Sequence, residues 1–215
     1  MGFFSKLFET RGAPGPLDDY WYSPFMGVKS HSGAEVNEAT ALNYSAVYNA
    51  ISLIAGTVGS LPLHLMRHKP KSKEYAVSNS LYKVLHDQPN EYMSAMAFRE
   101  CITAHVLAWG NCFAEKVFDY AGNVVELWPI PPTYVEINID KGVLKYIVTI
   151  DGKRWIWGRD KMFHVPGLGF NGITGYSVIQ KAKESIGLGL AAEEFGARWF
   201  GAGTHPGAVL SHPGT

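Results

Sequence analysis

Several groups of residues in this chain have types and spacings that could do chemistry. Gly167-Leu168-Gly169-Phe170-Asn171-Gly172 spells G-x-G-x-x-G, directly after a stretch, Met162 to Val165, that reads as a strand. In a dinucleotide site such glycines let backbone approach a pyrophosphate, and the helix begins within the motif so that its first amides face the phosphates. Here the helix cap is Ser177, five residues past the third glycine, with Gly175 between them. The acidic residue expected about 20 positions on would be Glu193 or Glu194, inside a helix and not at the end of a second strand. Too little chain follows Gly172 to complete a doubly wound half-domain, so a nucleotide-dependent enzyme is the weakest of three readings carried forward.

The other constellations are thinner still. Glu115, Asp119 and Glu126 fall on one hairpin, where carboxylates are ordinarily solvated, and no catalytic role is assigned to them. His64 and His68 have the i, i+4 spacing of paired ligands on a helix, but the segment reads as strand and turn, which separates them. Cys101 and Cys112 fit neither a disulfide framework nor a metal pattern and are expected to be reduced and buried. His105 is expected to be a hydrogen-bonded core or interface residue. His164, on the strand before the glycines, is expected to orient that turn by hydrogen bonding and not to act as a general base. There is no G-x-x-x-x-G-K-[ST], no G-x-S-x-G and no H-E-x-x-H, so a P-loop motor is excluded and no catalytic residue, cofactor or metal is assigned.

These residues must be positioned by a folded body. The 215 residues are 47% hydrophobic and 18% charged, enough to bury a core, and 13% are aromatic, which suits large contacts and interfaces. Lys+Arg and Asp+Glu balance at 19 each, so no bulk basic charge announces a protein that grips nucleic acid. No apolar run reaches membrane-span length, and MGFFSKLF is neither a signal peptide nor a myristoylation site, which predicts a soluble chain made inside the cell.

In chain order, residues 1–36 read as an arm in which Phe3, Phe4, Leu7, Phe8 and the cluster DDYWYSPFM either dock on a partner or stay unstructured. A helix follows over Thr40–Ser60, then a strand from Leu63 to Met66 and a hairpin tip from Arg67 to Lys73. Arg67, Lys69, Lys71 and Lys73 there either touch phosphate or a partner, or simply face water. Helices are expected at 79–86 and, capped by Ser94, at 95–109. Gly110 and Asn111 turn the chain into strands over 112–118, 124–128, 134–139, 143–150 and 154–157, with Pro129, Pro131 and Pro132 breaking the sheet. Gly172, Gly175 and Gly207 are further turn positions. Helices first, antiparallel strands next and a long helix last make an α+β order. That last helix should run from Ser177 to about Gly203. Lys183, Glu184, Glu194 and Arg198 share one arc, and apolar residues cover more than half of the rest. It is either a central core helix or one packed between neighbouring subunits, with Ile186, Leu190, Phe195, Trp199 and Phe200 as interface candidates. Gly187, Gly189, Ala192 and Gly196 leave room for close backbone approach.

Six segments in register, AVYNAISLIAGTVGSLP (46–62), LHDQPN (85–90), WGNCF (109–113), GNVVELWPIPP (122–132), FHVPGLGFNGITG (163–175) and residues 186–210, resemble the Hong Kong 97-like portal proteins of tailed bacteriophages. One local departure is the segment Ala202 to Leu210, where the family usually reads N-G-x-x-P-x-G-x-L. A larger one is length, since family members continue for roughly as many residues again, and the expectation is a shortened chain. The resemblance implies a structural ring of about twelve subunits at one capsid vertex, in the virion and in host cytoplasm during assembly. Double-stranded DNA would be packaged and ejected through it. It also implies a wing-like α+β domain over 37–176, a stem-like helix over 177–203 and the start of a clip over 204–215. Partners would be further copies of itself, the major capsid protein, a terminase motor carrying the ATPase and a head–tail adaptor, with no membrane. The remaining reading is a generic α+β binding or scaffold module.

Overall fold

The computed structural model describes residues 30–140, 142–169 and 171–203. The N-terminal arm up to residue 29, Gly207 and the segment 204–215 lie outside the described residues. Four helices and two strands lead: α1 (Glu38–Leu42), α2 (Ser45–Ser60), β1 (Met66–Lys69), β2 (Ser72–Tyr75), α3 (Ser80–His86) and α4 (Ala95–Trp109). Then come β3 (Asn111–Phe118), β4 (Val124–Ile130), β5 (Val135–Asp140), β6 (Val143–Ile150), β7 (Lys153–Trp157) and β8 (Met162–Pro166), and finally α5 (Val178–Lys181) and α6 (Lys183–Gly201). All strand pairs are antiparallel, in one two-stranded hairpin and two three-stranded sheets of order β4-β3-β8 and β5-β6-β7. The α+β class is as expected.

Local chemistry explains most of these elements. Ser94 Oγ accepts from Ala97 N at 3.2 Å to start α4, and Gly110, at φ 78°, ends it in the left-handed conformation that glycine adopts without strain. Asp151 and Gly152 have φ of 49° and 74°, the pair of positive values that a two-residue hairpin between Ile150 and Lys153 requires.

Side-chain alternation along β3 then builds the layers, because successive residues point to opposite faces of a sheet. Phe113 faces Ile130, Tyr146, Val148 and Met162 in a core between the two three-stranded sheets. Ala114 faces the other way, into a core with Val84, Phe98 and Leu127 under α3 and α4. A third core, Val36, Ala41, Ala108, Ile179 and Ile186, ties the first helices to α5 and α6.

Several expectations are corrected. The first long helix is two, interrupted at Asn43-Tyr44, so that the Tyr44 ring turns against α6; a Cβ on Gly189 would sit 2.7 Å from that ring. The helix expected over 177–203 is likewise two. Ala182, at φ −94° and ψ 11°, separates α5 from α6, which is 19 residues long and so spans about 28 Å. Within the arc of Lys183, Glu184, Glu194 and Arg198, Lys183 is 9% exposed while the other three are exposed. The first strand begins at Met66, not Leu63, and the hairpin tip shrinks to Pro70-Lys71. Pro129 lies inside β4 opposite Ala114, which the sheet tolerates because β4 is an edge strand. Within the described end of the expected arm, Ser30 and Val36 are buried, while residues 31–33 and 35 are exposed.

Two glycines with different constraints should respond differently to alanine. A Cβ on Gly175 would meet Gly110 O and lie 2.5 Å from Gly167 N, both rigid backbone, so Gly175→Ala should lower stability by about 2–3 kcal/mol. Gly172 has open space around it but a φ of 67°, so Gly172→Ala should cost only about 1 kcal/mol. Urea unfolding of the two variants would measure both, and equal losses would contradict the close-approach argument.

Candidate functional site

The glycine motif is used to pack backbone against backbone. Gly167 N donates to Gly110 O at 2.7 Å and Tyr176 N to Leu168 O at 2.8 Å. A Cβ on Gly110 would lie 2.5 Å from Gly175 O, and one on Gly169 would collide with Thr174 O. The first two glycines of the motif, Gly167 and Gly169, are therefore closed off by this chain's own main chain, while Gly172 has open space around it. Asn171 closes the tip, its Oδ1 accepting from Ile173 N at 2.9 Å and Thr174 N at 2.8 Å. Ser177 caps α5 as expected, accepting from Gln180 N, and its hydroxyl donates to Ala108 O at 2.6 Å.

His164 does what its position suggested. Its Nε2 lies 3.1 Å from Asn111 Oδ1, which also accepts from Gly175 N at 3.0 Å, while Asn111 Nδ2 donates to Gly175 O at 3.3 Å. Its Nδ1 lies 3.1 Å from the Tyr146 hydroxyl. Asn111 Oδ1 can only accept, so the network assigns the proton to Nε2 and leaves Nδ1 to accept from Tyr146. Phe113 stacks on the ring at 4.6 Å. Burial, with a smaller contribution from the Arg159 guanidinium, brings the imidazole down to about 4, so it stays neutral near pH 7. Tyr146, His164, Asn111 and Gly175 thus link both three-stranded sheets to the glycine turn through a continuous chain of hydrogen bonds.

The remaining titratable candidates are not brought together. Lys161 pairs with Glu115 at 3.0 Å, Asp119 accepts from Ala121 N and Asn123 N in an exposed turn, and Trp128 Nε1 donates to Glu126 at 2.8 Å. His64 stacks with His86 at 4.7 Å, away from any helical partnership with His68. Cys112 is buried and its thiol is pushed up to about 11, mainly by desolvation; Cys101 is only half-buried, which corrects the expectation for that residue. His105 Nε2 lies 3.8 Å from Cys101 Sγ, and its buried Nδ1 has no partner among the described residues. The expected hydrogen-bonded histidine is therefore half satisfied.

Of the interface candidates, Ile186 is buried in the helical core, and the half-buried Leu190 packs against it. Phe195 and Phe200 are 70% and 73% exposed, and Trp199 is 42% exposed with its ring stacked on Phe195. Gly187 and Gly189 do admit close neighbours, Ser30 and Tyr44 respectively, whereas Gly196 meets only Phe200. Arg67, Lys69 and Lys73 lie on an exposed hairpin with Lys71 at its tip, and Lys69 pairs with Glu74 at 2.6 Å. Two positioning residues were given no role by the sequence reading, although Asn90 ends the family segment LHDQPN. Arg99 donates to Gly59 O and Leu85 O, tying α2 to α3, and buried Asn90 donates to Leu127 O at 2.8 Å.

The His164 network gives stability a pH dependence. In the unfolded chain this imidazole takes a proton below about 6.5, while in the folded chain it stays neutral down to about 4, so the unfolded state binds more protons in that window. Stability should therefore fall as pH drops from 6.5 towards 4, by up to about 3 kcal/mol from this group. Denaturation midpoints of the parent and His164→Gln across that range test it. The variant should have the flatter profile, and parallel profiles would remove the assignment.

With this junction described, comparison with known proteins is informative. A family model described as phage portal protein matches residues 45–215, taking in α2, Asn90, Asn111, the glycine turn and α6. The portal protein of Enterobacteria phage HK97 is 29% identical over 180 residues, covering 83% of this chain and 42% of that protein. The probable portal protein of Streptomyces phage phiC31 is 30% identical over an alignment of 240 residues, covering 100% of this chain and 51% of that protein. The chain thus spans about half the length of these relatives. Among solved structures, a chain in the neck of a native gene transfer agent particle, computed with C12 symmetry, has a similar fold: TM-score 0.62 and 15% identity, covering 82% of this chain and 46% of that one. Because the family match runs unbroken through the residues that build the helix–sheet junction, this chain belongs to the phage portal protein family.

Proposed function

We propose that this chain is a structural subunit of a portal, a ring at one vertex of a phage capsid through which double-stranded DNA is packaged and later ejected. The observation that carries this reading, beside family membership, is the second half of α6. From Ala192 to Phe200 nearly every residue is exposed, and Phe195, Trp199 and Phe200 stand in the open. An aromatic surface of this kind marks a protein interaction site. Copies of the same chain are the occupants that a ring supplies, and the twelvefold symmetry of the similar neck structure supports that choice.

On this reading residues 37–176, together with 30–36, form the wing-like body, and α5 and α6 lead out of it towards neighbouring subunits. The major capsid protein, a terminase motor and a head–tail adaptor are the further partners of the complete protein, which resides in the virion and passes through host cytoplasm during assembly. Balanced charge, 19 basic against 19 acidic residues, suits a channel through which duplex DNA slides, because many Lys/Arg–phosphate contacts would hold it.

Sedimentation and negative-stain imaging of the purified chain test the proposal. The parent should form closed rings or ring fragments, and Trp199→Glu should shift the population to monomers while leaving the circular-dichroism melt unchanged. A Trp199→Glu protein that assembles like the parent would take away the role given to α6.

A further inference from the structure

A ring needs a head-to-tail contact, in which two different patches of the chain meet, because a single self-complementary patch closes into a dimer and stops. Two apolar patches left uncovered among the described residues meet this requirement. One is a ridge on α6. At 100° per residue, Phe195 and Trp199 both lie within about 20° of Leu188 around the helix, and these three are 70%, 42% and 66% exposed. The other is a groove of about 260 Å³ lined almost wholly by apolar atoms, with Val47, Ala50, Ile51 and Ile54 of α2, Val178 of α5 and Ile186 of α6 on its walls. Ile186 lies about 160° from Leu188 around the helix. Ridge and groove are therefore on opposite sides of one helix and cannot be covered by a single neighbour on one side.

Resting on the portal reading, we infer that the groove between α2 and α5–α6 receives the Leu188–Phe195–Trp199 ridge of an adjacent copy, and that this is the repeating contact of the ring. The match is in shape and polarity, a convex stacked aromatic pair against a concave apolar wall. It is also economical in partners, since one repeated contact covers both patches of every subunit, whereas an unrelated protein would leave one patch open. The ridge offers on the order of 300–400 Å² of apolar side chain, roughly half of the ~800 Å² per partner typical of a stable interface.

The test uses two single variants at exposed positions, which should leave the fold intact: Phe195→Glu spoils the ridge, and Ala50→Glu spoils the groove. Each alone should be monomeric by mass photometry, with the parent's thermal melt. Mixed in equal amounts they should form a 1:1 dimer and nothing larger, because only one competent ridge–groove pair remains. As a second measurement, Trp199→Cys and Ala50→Cys chains should form a disulfide between chains on mild oxidation. If the parent forms rings but either Glu variant assembles normally, or the mixture gives no dimer, the ridge–groove pairing is wrong while the portal reading stands. A parent that stays monomeric at every concentration would overturn both.

Discussion

The structure depends on how closely three stretches of backbone approach one another at Gly110, Gly167 and Gly175. The end of α4, the exit of β8 and the loop before α5 meet where a Cβ on Gly110 or Gly175 would overlap main chain, and Gly167 N bonds directly to Gly110 O. Such contact removes backbone from water, and each main-chain hydrogen bond then contributes about 1 kcal/mol only if its geometry is kept. The Asn111 side chain keeps it, bonding both the N–H and the C=O of Gly175. Because Ser177 also donates to Ala108 O, the start of α5 is held to the end of α4. The direction of the last two helices thus follows from a junction built of glycines.

The same junction shows why residues that resemble catalytic parts serve architecture here. His164 has both ring nitrogens engaged and an imidazole kept neutral by desolvation, so it lacks a free lone pair to act as a base on anything outside the network. Half-satisfied buried polar groups are costly, and a fully connected set specifies one arrangement of the two sheets. Tyr146 on β6, His164 on β8 and Asn111 on β3 form such a set across the core that contains Phe113 and Val148.

Helix α6 then divides its work by length and by side. Its first turns bury Lys183, Ile186 and Gly187 and admit Ser30 and Tyr44 against glycine, while its last turns expose an aromatic stripe. One side of the helix thus carries an exposed apolar stripe, and the opposite side lines an apolar groove with α2.

Much of this was legible in the sequence because it is local. Ser94 and Ser177 cap helices within three residues of themselves, and Asp151-Gly152 needs only its own two φ angles. The six family segments fall on points of close contact, such as Asn90 against Leu127 and Gly110 against Gly175. What periodicity could not decide was which apolar residues the chain itself would cover. Ile186 and Phe195 are equally apolar members of one helical pattern, yet one is 6% and the other 70% exposed, because only the first faces α2. The breaks at Asn43-Tyr44 and Ala182 and the burial of Lys183 belong to the same class. The sequence alone determined the elements, their caps and the family. Tertiary structure decided which faces are core and which remain exposed, since burial is set by chain segments that are distant in sequence and meet only on folding.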